Sequence, residues 1–297
     1  NLTNYINKGE REAGETDFDY AKLSDEEAKS AKDELVETKG FFILPSELFC
    51  NVKDKAPDDE NLNETLEKIF RNIENSAIGT DSEPDFKGLF DDLDVNSKKL
   101  GGTVKERNEK LVKLINGIAS MKLKNSNNTI DLFGDAYEFL MGMYASNAGK
   151  SGGEFFTPQE VSELLTRITL VGKTEVNKVY DPACGSGSLL LKFAKILGKD
   201  KVRNGFFGQE INITTYNLCR INMFLHDIGY EKFDIAHGDT LKAPAHLDDE
   251  PFEAIVSNPP YSIKWEGDDN PLLINEQRFS PAAVIAPKSK EDMAFIM

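Results

Sequence analysis

The chain has 297 residues, 39% of them hydrophobic and 29% charged, and a formal net charge of −16. That length suits two domains, and the composition is that of a globular protein rather than a disordered or fibrous one. No apolar run approaches the about 20 residues of a membrane span, and no basic-plus-apolar signal segment opens the chain. The three cysteines, Cys50, Cys184 and Cys219, form no C-x-x-C pair, and the three histidines, His226, His237 and His246, have no ligand spacing. Neither a disulfide framework nor a metal site is therefore expected, and the cytoplasm is the expected compartment. The acidic balance argues against a chain that grips a phosphate backbone unaided; a partner is expected to supply much of any hold on nucleic acid. The sequence begins without methionine and ends in mid-pattern, so both ends read as cut.

In chain order, the first half reads as helices and polar loops. "SDEEAKSAKDELVETKG" has an N-cap serine, an acidic first turn and a closing glycine at Gly40. "NLNETLEKIFRNIENSAIG", "TVKERNEKLVKLINGIASM" and "IDLFGDAYEFLMGMYAS" carry apolar residues at helical spacing. No strand pattern precedes residue 175. Gly149, Gly152 and Gly153 make a hinge, after which Pro158 is expected at the first position of a helix, "PQEVSELLTRITL". From there short strands alternate with helices: "NKVYD", "SLLLKFAKILG", "NGFFGQEI", "TTYNLCRINMFLHDIG", "FDIAHGD", "FEAIVSN" and a further strand "AAVIAPK", with a helix starting at "KEDMAFIM". Such alternation implies an α/β domain with a mainly parallel sheet, whose ligand sits at the carboxyl ends of the strands. The expected boundaries are a helical domain over 1–145 and an α/β domain over 146–297.

Four features fall at those strand ends. "VYDPACGSGSLLL" is a strand, a carboxylate at Asp181, then a turn in which Gly185, Ser186, Gly187 and Ser188 let backbone approach a ligand. It departs from the dinucleotide fingerprint, because Leu190 stands where the third glycine belongs, and it lacks the Gly-Lys-Ser/Thr of a phosphate loop. A carboxylate suits a cationic amino group better than a pyrophosphate. Glu210 closes the next strand, where an acid can accept from both hydroxyls of a ribose. Asp239 is expected at the end of the third, where it can accept from an adenine amino group. "GGEFFTPQE" is a bend before a helix start that could cradle a carboxylate. Last comes "SNPPY". Two prolines stiffen the chain and remove two N–H donors, leaving the Asn258 side-chain carbonyl and the Pro259 carbonyl as paired acceptors beside the stacking ring of Tyr261. Two acceptors on one amino group draw its lone pair out of conjugation, so that it can attack an electrophilic methyl without a metal. Each feature has a plainer reading alone: a tight turn, a solvated acid, a stiff loop. Their order along the chain favours the chemical one.

In that order, "EFFTP", "DPACGSGS", "GQE", "GD" and "NPPY" resemble an S-adenosylmethionine-dependent amino-methyltransferase with a Rossmann-like fold. "DLFGDAYEFLMGMYASNAGKSGGEFFTPQEV", "GQEINITTYNLCRINMFLHDI" and "RFSPAAVIAPKSKEDMAFIM" are similar to the modification subunit of type I restriction–modification systems, an N6-adenine DNA methyltransferase. The likeness is specific over roughly 130–297 and looser over the helices before it. It implies S-adenosylmethionine as cofactor, contacted by Glu154, Phe155, Phe156, Thr157, Pro158, Gln159, Asp181, Gly185, Ser186, Gly187, Ser188, Glu210 and Asp239. It implies a flipped target adenine held by Asn258, Pro259, Pro260 and Tyr261. It further implies double-stranded DNA met through a complex with a specificity subunit and a restriction subunit, two modification subunits to each specificity subunit. The C-terminal helical tail used against the specificity subunit is missing from this sequence. Two alternatives stay open: a methyltransferase acting on a glutamine side-chain amide in release factors, and a cofactor-binding scaffold inactive without its partner. Gly187→Val is expected to block cofactor binding by filling the turn.

Overall fold

A computed structural model describes residues 2–120, 157–260, 265–270, 273–282 and 284–296. The helix expected over 130–146 and the hinge at Gly149, Gly152 and Gly153 lie outside the described residues. The chain divides into two units, Asn1–Phe133 with Gly229–Glu231, and Gly134–Ile228 with Lys232–Met297. Among the described residues no helix is long and apolar enough to cross a membrane.

The first unit is helical. It comprises α1 (Leu2–Glu12), α2 (Asp25–Ala28), α3 (Lys32–Lys39), α4 (Phe49–Lys55), α5 (Leu62–Ser76), α6 (Glu83–Phe86) and α7 (Val104–Ser120). Ser24 caps α2 reciprocally: its hydroxyl accepts from Glu27 N–H, and its own N–H donates to the Glu27 carboxylate at 2.9 Å. The helix expected to run unbroken to Gly40 is instead interrupted by a tighter turn at Lys29–Ala31. There the Ser30 hydroxyl donates to the Glu27 carbonyl at 2.8 Å and competes with the helical ladder. Gly40 ends α3 at φ 86°, as expected of a left-handed C-cap. Two apolar clusters form the unit's core, one around Tyr20, Leu35 and Val36, the other around Leu62, Ile69, Leu111 and Ile115. Buried Asn108 ties α7 to the start of α5, accepting from Asn63 N–H at 3.1 Å and donating to the Glu60 carbonyl at 2.7 Å.

The second unit holds a four-stranded parallel sheet. Its strands are β1 (Val179–Asp181), β2 (Phe206–Glu210), β3 (Phe233–His237) and β4 (Ala254–Ile255), in the order β3-β2-β1-β4. Helices α8 (Gln159–Thr169), α9 (Ser188–Leu197) and α10 (Ile213–Leu225) accompany them, with α11 (Glu291–Ala294) near the end. Side chains alternate across a strand. Val179, Phe206, Phe233 and Ala254 thus share one face and pack with Leu189, Leu190, Phe193, Cys219 and Met223 in a core from which water is excluded. On the other face Tyr180 stacks on Phe252 at 4.8 Å, and the His246 ring meets Phe207 edge-on.

The strand order places the functional ends. The chain moves outward from β1 to β3 and then returns to the far side of β1 for β4. The direction therefore reverses between β1 and β4, and a crevice opens at the carboxyl ends of strands flanking such a switch. The glycine turn follows β1, and Asn258 follows β4.

Three further expectations need correction. "AAVIAPK" is not a strand: Ser280–Ala282 is a single tight turn, and Ile285 and Ala286 are buried without ladder pairing. The run is bounded by Pro281 and Pro287, and β4 is two residues long, so it offers little edge to pair with. Pro158 is the N-cap of α8 (φ −53°, ψ 142°), one residue before the first helical position, which Gln159 takes. Asp239 lies two residues beyond the end of β3, past Gly238.

Candidate active site

Asp181 ends β1 and is 1% exposed. Its carboxylate accepts from Ala183 N–H at 3.0 Å. Burial pushes its pKa from 3.8 up to about 7, with the Ala183 N–H and the Ser257 hydroxyl opposing and the charge of Glu210 adding to the rise. A carboxyl kept at such cost at a strand tip is the pattern of a functional group. The folded value lies above the ordinary one, so this group favours the fold below about pH 4, and the contribution is lost as pH rises through about 7. Without cofactor, Asp181→Asn should remove that loss. The melting temperature of the variant relative to the wild type is then expected to climb between pH 5 and pH 8. A difference that stays constant would contradict the buried-carboxyl description.

The two glycines of the turn do different work. Gly185 has φ 55°, and a Cβ added there would meet nothing within 4 Å, so it borders open space. Its N–H donates to Glu210 Oε2 at 3.0 Å. Gly187, at φ 81°, caps α9, and a Cβ there would stand 2.7 Å from Cys219 Sγ and 3.2 Å from Met223 Cε. Gly187 faces the core, not the ligand space. Gly187→Val would thus act on the packing of α9 against α10, which corrects the expectation that it fills the turn. Ser186 is buried, and its carbonyl accepts from Asn222 Nδ2 at 2.8 Å. Ser188 opens α9.

Glu210 closes β2. Besides Gly185 it holds Asn212 N–H at 2.8 Å, and burial raises its pKa. Asp239 accepts from Leu241 N–H at 3.0 Å and lies 3.6 Å from Lys242 Nζ. Next to it, the Thr240 hydroxyl donates to the Pro182 carbonyl at 2.6 Å, joining the turn after β3 to the turn after β1. Arg278 then fastens that turn by donating to the carbonyls of Thr240 and Leu241, each at 2.8 Å. Three acids thus stand at or just past the tips of β1, β2 and β3. This arrangement suits a ligand rich in donors, an ammonium, a diol and an aromatic amine.

Asn258 stands just past β4, where Val256 N–H still donates to the Tyr180 carbonyl at 3.0 Å. Its Nδ2 donates to Thr157 Oγ1 at 3.2 Å. Among the described residues no bond engages Oδ1, so the amide keeps an acceptor one residue before the Pro259 carbonyl. Pro260 follows. Thr157, Pro158 and Gln159 are thereby placed next to the Asn258 segment. Glu154, Phe155, Phe156 and Tyr261 lie outside the described residues.

Sequence reasoning missed Thr240, Arg278, Asn222 and Lys192, whose ammonium donates to the Gln159 side-chain oxygen, as neighbours of the site. Each is held by a contact distant in sequence, for which no local pattern exists. It also missed a grouping of Asp234, His246 and Asp249, whose ligand atoms lie within 4.8 Å of one another. Hydrogen bonds hold two of the three: buried His246 engages the Gly208 carbonyl at 2.9 Å and Asp249 at 3.0 Å, with Lys178 Nζ 3.9 Å from Asp249.

The parallel sheet with its switch beside β1 and the glycine turn after it have the Rossmann-like fold of the methyltransferase class, preceded along the chain by a helical unit. Residues 128–297 match the N-6 DNA methylase family and residues 4–118 match the HsdM N-terminal domain. The chain belongs to the family of methylase subunits of type I restriction–modification systems. It is 50% identical, over its whole length and 58% of the relative, to the type I restriction enzyme MpnII methylase subunit of Mycoplasma pneumoniae. To the HindI methylase subunit of Haemophilus influenzae it is 28% identical over 56% of this chain and 36% of that protein. In structure it resembles the type I methyltransferase subunit from Streptococcus thermophilus, with TM-score 0.79 and 33% identity over 93% of this chain and 57% of the other. The chain thus spans a little over half the length of the first of these relatives and of the solved structure.

Proposed function

We propose that the protein containing this chain transfers a methyl group to the N6 amino group of adenine in DNA, as the modification subunit of a type I complex. The observation that carries the reading is the pairing of the two turns at the sheet's switch, the acid-rimmed glycine turn after β1 and the acceptors of Asn258 and Pro259 after β4. Family membership supports the reaction, and the acidic charge of −16 agrees with DNA being held through a specificity subunit.

The residues fit S-adenosylmethionine. Asp181 would pair with its ammonium, Glu210 with its ribose hydroxyls and Asp239 with its adenine amino group. The backbone at Gly185, Ser186, Gly187 and Ser188 would lie along it, and Glu154, Phe155, Phe156, Thr157, Pro158 and Gln159 would contact it. The open space beside Gly185 and the proton affinity of buried Asp181, which a cation would lower, both support that fit. When bound, the cofactor supplies an electrophilic methyl.

The chain's own work falls on the nucleophile. Asn258 Oδ1 and the Pro259 carbonyl accept the two hydrogens of the adenine amino group and localise its lone pair on nitrogen. As nitrogen gains positive charge, both bonds strengthen, so the acceptors stabilise the transition state more than the ground state. Pro259 and Pro260 keep them rigid, and Tyr261 would stack on a base flipped from the duplex. Thr157 orients the asparagine. Thr157→Val is therefore expected to slow transfer about 2- to 10-fold at saturating cofactor, the worth of one hydrogen bond. An unchanged rate would show that the amide needs no such anchor.

The substrate is tested by following labelled methyl from S-adenosylmethionine in three mixtures: DNA with the specificity subunit, DNA alone, and a release factor. Label is expected in DNA when the specificity subunit is present. Label in the release factor instead would identify a glutamine-amide methyltransferase, and label nowhere would leave a scaffold. The restriction subunit, and two modification subunits per specificity subunit, complete the proposed assembly.

A further inference from the structure

Lys192 stands out among the buried groups of the second unit. It lies in the second turn of α9 and is 6% exposed. Among the described residues its ammonium has one partner, the neutral side-chain oxygen of Gln159. Burying an ammonium against a single amide oxygen is costly, since a desolvated charge needs an opposite charge or a full set of bonds. Glu163 on α8 feels the Lys192 charge, but it is half exposed and hydrogen-bonded to Arg167 at 2.8 Å, and among the described residues no hydrogen bond or ion pair joins it to the buried ammonium. Helical side chains lean toward the N-terminus of their helix, so Lys192 points back to the glycine turn. Its bond to Gln159 sets the ammonium at the start of α8, beside Thr157, which in turn meets Asn258. A buried cation therefore sits beside the start of α8, and among the described residues no acid is bonded to it.

We propose that Lys192 is the counter-ion for the carboxylate at the amino-acid end of the cofactor. This rests on the cofactor reading above and adds to it the residue that senses that end. The cofactor's one anionic group is this carboxylate, and its ammonium falls to Asp181, which precedes the glycine turn and stands eleven residues before Lys192. The two side chains then divide the zwitterion, acid to ammonium and lysine to carboxylate. A charge-assisted bond in a water-poor site is strong and directional, which makes Lys192 a selector for cofactor over nucleosides that lack the amino-acid end.

The test uses two probes on the full subunit, measured by titration calorimetry. S-adenosylhomocysteine carries the carboxylate; 5′-methylthioadenosine shares the nucleoside and lacks the amino-acid end. Lys192→Met, which keeps the aliphatic stem, is expected to weaken S-adenosylhomocysteine at least about 30-fold. Methylthioadenosine should stay within about twofold, with Lys192→Arg recovering part of the loss. Equal weakening of both probes would make Lys192 a strut for Gln159 and overturn the proposal, as would unchanged binding of S-adenosylhomocysteine. Failure of the wild-type subunit to bind either probe would sink the cofactor reading itself. A melting curve of each variant separates lost folding from lost affinity.

Discussion

Replacing Asn258 by alanine is expected to lower methyl transfer about 10²- to 10³-fold, the usual cost of removing one preorganised group that stabilises developing charge. Cofactor affinity should stay within a few-fold, because the amide oxygen acts on the amine in the transition state and not on the cofactor. The structure explains why one side chain can matter this much. Asn258 stands beyond β4 on a stretch stiffened by Pro259 and Pro260, and its Nδ2 is tied to Thr157 at 3.2 Å. Its oxygen therefore needs no search for its position when substrate arrives, and no reorganisation cost is met during the step. The Pro259 carbonyl survives in the variant, so a residual rate is expected rather than none. Parallel loss of cofactor binding and transfer would mean that Asn258 belongs to the cofactor pocket, and the assignment of the acceptors would fall.

The two glycines of the turn are expected to fail in opposite ways. At Gly187 a side chain meets Cys219 Sγ at 2.7 Å and Met223 Cε at 3.2 Å on a backbone with φ 81°. Overpacking and left-handed strain together cost about 2–5 kcal/mol, so Gly187→Val should lower the melting temperature markedly even without cofactor. At Gly185 a Cβ meets nothing within 4 Å, and only the strain of φ 55° remains, about 1–2 kcal/mol. Gly185→Ala should therefore fold, melt a few degrees lower, and bind S-adenosylmethionine at least about tenfold more weakly, because its methyl group projects where cofactor would lie. Normal affinity in that variant would remove the glycine turn from the cofactor site. A stable Gly187→Val protein would show that α9 and α10 can separate more easily than their packing implies.

The sequence made the sheet direction, the glycine turn and the strand-end acids legible because each is a local pattern. Strand–turn–helix alternation fixes a parallel sheet, and an acid at the tip of a strand follows from position alone. The pairings that tune the site were not legible. Asn258 and Thr157 are 101 residues apart, Thr240 and Arg278 are 38 apart, and Lys192 and Gln159 are 33 apart. No periodicity links such residues; only the folded sheet brings them together. The errors have the same origin. "AAVIAPK" has the apolar run of a strand, yet a strand also requires a partner edge, and two-residue β4 scarcely provides one. Gly187 looked like a ligand-facing glycine beside Gly185, and only the position of Cys219 on α10 reveals that it faces the core.

The central claim is that the turns after β1 and β4 make one site for moving a methyl group to an adenine amine. The most direct measurement is nucleoside analysis by mass spectrometry of DNA incubated with S-adenosylmethionine, the full subunit and its specificity subunit. The expected product is N6-methyladenine, present with wild-type protein and reduced about 10²- to 10³-fold with Asn258→Ala. Methylation that appears on another base, or that persists undiminished in the Asn258→Ala variant, would contradict it.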